Sequence, residues 1–247
     1  MSLNLKAKMT SYPDTKIHNT LPKILRHRSV SMPDTVALRD KDLGIWNEIT
    51  WKQYNNNVSY LALALSKRGF KTGDVIGLIG DNKPSWLYFE LAAQAVGGMS
   101  LGIYRDTLDE EVGYLINAAN VNFVYAEDQE QVDKIQTIKR PKNNKITMFY
   151  EDSRGLKELN DPHIVDMLEL MNEGQAIANK SPNKYNQMID KISTEQDAIL
   201  CTTSGTTSNP KLAMLPGGKF VEHVLRYLNV DPKNVEDEYV SVLPFPW

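Results

Sequence analysis

The segment Val75 to Ile79 is a continuous apolar run, closed by Gly80-Asp81-Asn82. A strand of that kind has no solvent face and must be covered from both sides. The next segment of the chain supplies a cover. A helix with Pro84 in its first turn is apolar on most faces through Val96, Gly97-Gly98 ends it, and Met99 to Tyr104 reads as a second strand. Strand, helix and strand in this order predict a βαβ unit and a parallel sheet with helices on both faces.

The rest of the chain keeps the same alternation. Val36-Ala37-Leu38 and Asn47 to Thr50 predict a hairpin turning at Asp42-Leu43-Gly44. Tyr54, Val58, Leu61 and Leu65 lie on one helical face, with Gly69 as the stop. Thr107 and Glu110 form a capping-box pattern before a helix whose apolar face is Leu108, Val112, Leu115 and Ala119. Val121 to Ala126 reads as a strand, Asp128 to Lys139 as a helix and Ile146 to Tyr150 as a strand. Asp161-Pro162 reads as an N-cap and first helical residue, opening a helix with Val165, Leu168 and Met171. Asn179 to Ser193 is polar and marks a boundary. Beyond it come a strand, a hydroxyl-rich loop, a second strand, an amphipathic helix on Val221, Val224, Leu225 and Leu228, and a buried strand over Tyr239 to Leu243. The expected fold class is α/β, a layered and mostly parallel sheet flanked by helices. Residues 1–190 form an N-terminal α/β subdomain and residues 191–247 begin a second part.

Composition narrows the function. A net charge of −3 gives no general attraction to nucleic acid. The basic runs Lys6-Ala7-Lys8 and Lys139 to Lys142 read as solvated surface. Cys201 is the single cysteine, which excludes an internal disulfide framework, and its apolar flanks predict a buried, inert thiol. The N-terminus has no apolar signal region, and the most apolar stretch, Trp86 to Gly98, carries Glu90 and is too short to span a bilayer. The expectation is a cytoplasmic protein without a transmembrane segment. His18, His27, His163 and His223 have no metal-ligand spacing. Trp46, Trp51 and Trp86 read as core or rim packing, and Met171, Met188 and Met214 as core filling.

The loop Thr202 to Lys211 carries the chemistry. Its hydroxyls, Gly205 and Lys211 suit a polyphosphate. A Ser/Thr/Gly linker has a similar composition. However, the apolar segments Ala198 to Cys201 and Leu212 to Leu215 bracket it closely, as in a tight connection on a packed scaffold. A nucleotide-triphosphatase P-loop needs glycine where Pro210 stands and Ser or Thr where Leu212 stands, followed by a helix. No dinucleotide-binding G-x-G-x-x-G comes after a strand.

Thr203 through Thr207, Pro210 and Lys211 match in register the pattern Thr-Ser-Gly-Thr-Thr-Gly-x-Pro-Lys-Gly. The loop thereby resembles the phosphate-binding signature of the adenylate-forming enzymes, which include acyl-CoA synthetases, firefly luciferase and peptide-synthetase adenylation domains. Ser208 and Leu212 replace the family's glycines. Ile49 to Tyr54, Gly73 to Ile76 and Asp81 to Trp86 also resemble family segments. Gly97 to Tyr104, Glu110 to Ile116 and Val124 to Gln131 look most like long-chain fatty-acyl-CoA synthetases. The resemblance implies a ligase that joins fatty acid, ATP and coenzyme A through an acyl-adenylate, with Mg2+ as cofactor. It places the ATP phosphates on Thr203, Ser204, Gly205, Thr206, Thr207 and Lys211. It also implies that the family's catalytic lysine, the rest of the large domain and the C-terminal domain are absent from these 247 residues, so the chain is expected to be an N-terminal fragment, inactive alone. Two alternatives stand beside it. One is a non-catalytic α/β module acting by self-association, for instance as a homodimer; the other is an aryl-CoA synthetase.

Overall fold

The computed structural model describes residues 12–141, 145–203 and 210–246. Helix α1 (Leu21–Ser31) precedes the hairpin β1 (Val36–Asp42) and β2 (Ile45–Thr50). Its turn takes Leu43 and Gly44 to φ of 47° and 83°, the left-handed values that a two-residue hairpin turn requires. Helix α2 (Trp51–Lys67) opens on a capping box: the Thr50 hydroxyl accepts from Gln53 N, and the Gln53 side chain accepts from Thr50 N. Gly69, at φ 99°, closes it with Phe70 N donating to Leu65 O.

The layered sheet comes next. Strands β3 (Val75–Ile79), β4 (Met99–Ile103), β5 (Phe123–Ala126), β6 (Thr147–Tyr150) and β7 (Ile164–Asp166) alternate with helices α3 (Pro84–Val96), α4 (Asp109–Ala118) and α5 (Gln129–Gln136). Helices α6 (Met167–Lys180) and α7 (Lys184–Asp190) lead to β8 (Asp197–Thr203), β9 (Lys211–Pro216) and α8 (Gly217–Val230). The seven-stranded order is β7-β6-β5-β3-β4-β8-β9. All its pairs are parallel except β8 with β9. The sheet runs without a break across residue 190.

Strand β3 is buried along its whole length. Ile76 and Leu78 pack with residues of α1, α2, α3, α6 and α7, whereas Val75 and Ile79 pack with α4 and α5. Period-two alternation thus sends successive side chains into two cores. Glu90 of α3 is the unusual member of this layer. Burial pushes its carboxyl up to about 7, with the Ser100 hydroxyl at 3.4 Å opposing that shift.

Several expectations are corrected. The Thr107 capping box does not form: Thr107 N donates to Tyr104 O in the turn after β4, Leu108 takes the N-cap position, and its side chain is exposed. Asp161-Pro162 does not start a helix. The Asp161 carboxylate accepts from His163 N, the short strand β7 comes next, and Asp166 caps α6 instead. Val165 is therefore a buried strand residue, and Leu168 is exposed. The polar stretch 179–193 contains helix α7, which buries Tyr185 and Ile189. Arg140 is not simply solvated: it donates to Ile116 O, Asn117 and Asn122 at the end of α4, while Lys142 lies outside the described residues. Tyr239 to Leu243 is neither a strand nor buried, with Tyr239 81% and Val240 76% exposed, because no ladder partner reaches it among the described residues. Trp86 is core, Trp46 is exposed, and Met214 is exposed on β9 rather than filling a core.

The Glu90 carboxyl makes the fold pH-dependent in a defined direction. Its folded pKa lies above the ordinary 4.5, so the folded state holds the proton more tightly than the unfolded one. Stability is then fully present below about 4.5 and is lost as pH rises to about 7. Glu90→Gln should leave stability unchanged at pH 4.5 and raise it by about 1–3 kcal/mol at pH 8. Denaturant unfolding of both proteins across that range checks this, and parallel pH curves would refute it.

Candidate active site: the hydroxyl loop and the carboxyl edge of the sheet

Strands β8 and β9 run antiparallel, with Thr203 opposite Lys211, Thr202 opposite Leu212 and Cys201 opposite Ala213. Strands β8 and β9 therefore form an antiparallel pair on the packed sheet that ends at Thr203 and Lys211. Leu212 lies within β9, and among the described residues only Leu43 and Asn120 are non-glycines with positive φ, so it carries no left-handed strain. Ser204, Gly205, Thr206 and Thr207, predicted to cradle phosphate, and Ser208, which replaces a family glycine, lie outside the described residues. The structure places the two ends of the predicted set, Thr203 and Lys211, side by side, with the Thr203 hydroxyl 3.4 Å from Lys211 O. Lys211 is exposed and forms no ion pair among the described residues.

Cys201 is exposed, which corrects the expectation of a buried thiol. Alternation explains it: Ala198 and Leu200 are buried on one face of β8, and Cys201 falls on the other, more open face.

A cleft of about 210 Å³ opens beside the hairpin. Gly102, Tyr104 and Glu111 line it together with Thr202, Thr203 and Pro210. The Tyr114 hydroxyl donates to Pro210 O at 3.2 Å and ties α4 to the far end of the loop. Hydroxyls at a carboxyl-edge cleft can receive a polar or anionic group and orient it by hydrogen bonds.

The edge has a second polar centre that sequence reading missed. Strand β3 continues into α3 on one face of the sheet while its neighbour β5 continues into α5 on the other, so the crevice between them is a topological switch point. Glu127, 5% exposed, stands there and accepts from Asp81 N at 2.6 Å. Lys83 Nζ lies 2.9 Å from its carboxylate and Arg105 3.8 Å, and Arg105 also pairs with Asp81 and Asp128. Burial works against the Lys83 ammonium, but its hydrogen bond to Glu127 and neighbouring carboxylates outweigh burial and raise its pKa. Gly80 permits the approach, since a Cβ there would lie 2.7 Å from Glu127 Cβ. Glu151 N donates to Glu127 O at 3.2 Å, and the Glu151 carboxylate accepts from the Ser85 and Tyr125 hydroxyls. Among the described residues no group of three His, Cys, Asp or Glu is placed to hold a metal ion. No helix among them is long and apolar enough to cross a membrane.

The model of the family described as "AMP-binding enzyme" matches residues 25–247. A long-chain-fatty-acid–CoA ligase ACSBG2 of Rattus norvegicus is 29% identical over 196 residues, covering 79% of this chain and 29% of the relative. A long-chain-fatty-acid–CoA ligase ACSBG1 of Homo sapiens is 29% identical over 217 residues, covering 85% and 29%. The chain thus spans less than a third of the length of these curated relatives. The fold is shared with the luciferase-like enzyme of the mealworm Zophobas morio at a TM-score of 0.70 and 15% identity, covering 87% of this chain and 47% of that one. It is also shared with the anthranilate CoA ligase AuaEII bound to anthranoyl-AMP, at 0.68 and 17%, covering 86% and 38%.

Replacing Glu127 tests the second centre. Glu127→Ala leaves Asp81 N without its acceptor and two cations without their buried partner. It should cost about 2–4 kcal/mol in denaturant unfolding. A loss below about 0.5 kcal/mol would show that the cluster is no more than a surface ion pair.

Proposed function

We propose that this chain, which belongs to the AMP-binding enzyme family, is the phosphate-loop part of an ATP-dependent acyl-CoA synthetase acting on a fatty acid. On this reading residues 1–190 form the N-terminal subdomain and residues 191–247 open the part that carries the loop. The observation that supports it most is the pairing of Thr203 with Lys211 at the mouth of a hairpin loop rich in hydroxyls. The similarity to long-chain-fatty-acid–CoA ligases over about four-fifths of the chain favours a fatty acid over an aryl acid.

The chemistry is that of the family's reaction. A carboxylate oxygen of the fatty acid attacks the α-phosphorus of ATP, and pyrophosphate leaves. The thiolate of coenzyme A then attacks the acyl carbon, and AMP leaves. The β- and γ-phosphates must be held while the P–O bond to the leaving group breaks. Hydroxyl and N–H donors from Thr203, Ser204, Thr206 and Thr207 would hold them, with Gly205 allowing close approach of the backbone. Lys211 would neutralise charge building on the departing pyrophosphate. Each hydrogen bond to a charged phosphate oxygen contributes about 1.5–3 kcal/mol. Mg2+ travels with the nucleotide phosphates on this reading, and no residue here is assigned to it.

Self-association is the second reading. Strand β9 is an edge of the sheet, and Met214 on it is exposed together with Tyr227 and Val230 on α8. Such a face can join a second copy.

Titration with the nucleotide analogue ATPγS, in the absence of fatty acid, separates the two. The chain should bind it, and Lys211→Ala should weaken binding about ten-fold or more. No binding by the unaltered chain, together with a concentration-dependent dimer in sedimentation, would favour the self-associating module. Equal affinity in both proteins would remove Lys211 from the site.

A further inference from the structure

The hairpin β1–β2 ends in three large apolar side chains. Leu43 is 94% exposed, Ile45 68% and Trp46 61%. None of them packs against either core, whereas Leu38 and Ile49, nearer the base of the hairpin, do. The turn holds Leu43 at φ 47°, a backbone conformation that asparagine, aspartate or glycine adopts more readily. Leucine there gives the fold neither a relaxed turn nor a buried side chain, so the fold alone does not account for it. The three side chains also diverge. The register sets Ile45 opposite Asp42 and Trp46 opposite Lys41, so strand alternation puts Ile45 and Trp46 on opposite faces of the hairpin, with Leu43 at the turn. A protein partner covers one face, whereas a fluid apolar phase takes side chains from both faces and the tip together. Trp46 suits such a boundary, because its ring is apolar and its indole N–H is polar. Lys41 Nζ lies 5.5 Å from the centroid of that ring.

We propose that the tip of this hairpin is a lipid-contact site, at which Leu43, Ile45 and Trp46 insert together into the interfacial region of a bilayer. Insertion stops at the headgroups, because the backbone groups at the free edges of a two-stranded ribbon need water. Arg39 and Lys41 are offset along the two strands by Asp40, Asp42 and Glu48, so the hairpin carries no excess of cations. The contact is thus driven by apolar burial and suits a zwitterionic surface such as phosphatidylcholine. A fatty acid, the substrate class proposed above, partitions into the same surface, but the lipid contact does not rest on that assignment.

Flotation of the 247-residue chain with phosphatidylcholine vesicles, without nucleotide or fatty acid, tests this. The chain should float with the vesicles. Leu43→Asn combined with Ile45→Thr introduces residues suited to the turn and the strand. Denaturant unfolding should therefore be unchanged or slightly improved, while vesicle affinity falls about ten-fold or more. Brominated phosphatidylcholine should quench tryptophan fluorescence, and Trp46→Phe should remove most of that quenching while the chain still floats. No flotation of the unaltered chain, equal flotation of the double variant, or undiminished quenching in Trp46→Phe would overturn the proposal. So would a requirement for anionic lipid, which would put the contact on a basic surface. A concentration-dependent dimer that the double variant abolishes would assign the tip to a second copy and overturn it as well.

Discussion

The burial of β3 on both faces governs the molecule. A strand without a solvent face needs a helix layer on each side, and the chain meets that need by sending β3 into one layer and its neighbour β5 into the other. The turns that make this possible leave their strands at the same edge. That edge collects the Gly80–Lys83 turn, Arg105 and Glu127, and Thr203 ends β8 at the same edge. Polar and charged side chains meet there because the fold brings chain segments together there.

The two polar centres of the edge differ in kind. At Glu127 the carboxylate, two cations and a backbone N–H satisfy one another, so that centre is a rigid support. At the hairpin, Lys211 forms no ion pair among the described residues, and Thr202 and Thr203 face an open cleft.

Much of the fold is legible in the sequence, for reasons that particular residues show. The apolar run Val75–Ile79 and the face Tyr54–Val58–Leu61–Leu65 carry their periods openly, and the structure realises both. The pattern Thr203 to Lys211 points to the same family that the family model matches. Errors arise where one local signal has two physical solutions. Asp161 can cap a helix or close a turn, and its bond to His163 N selects the turn. Tyr239 to Leu243 has strand-like composition, but a strand needs a ladder partner and none is present among the described residues. Cys201 lies in an apolar run, yet alternation along β8 exposes it. The Glu127 centre is invisible in the sequence because residues 81–83, 105 and 127 meet only through the strand order.

The central claim is that the hairpin cleft receives the phosphates of ATP. Backbone NMR shifts recorded during titration with ATP test it most directly. The account predicts changes concentrated at Thr202, Thr203, Lys211 and Leu212, and at Gly102 to Thr107 across the cleft. Shifts confined to other surfaces, such as the β1–β2 hairpin, or no shifts at millimolar ATP, would contradict it.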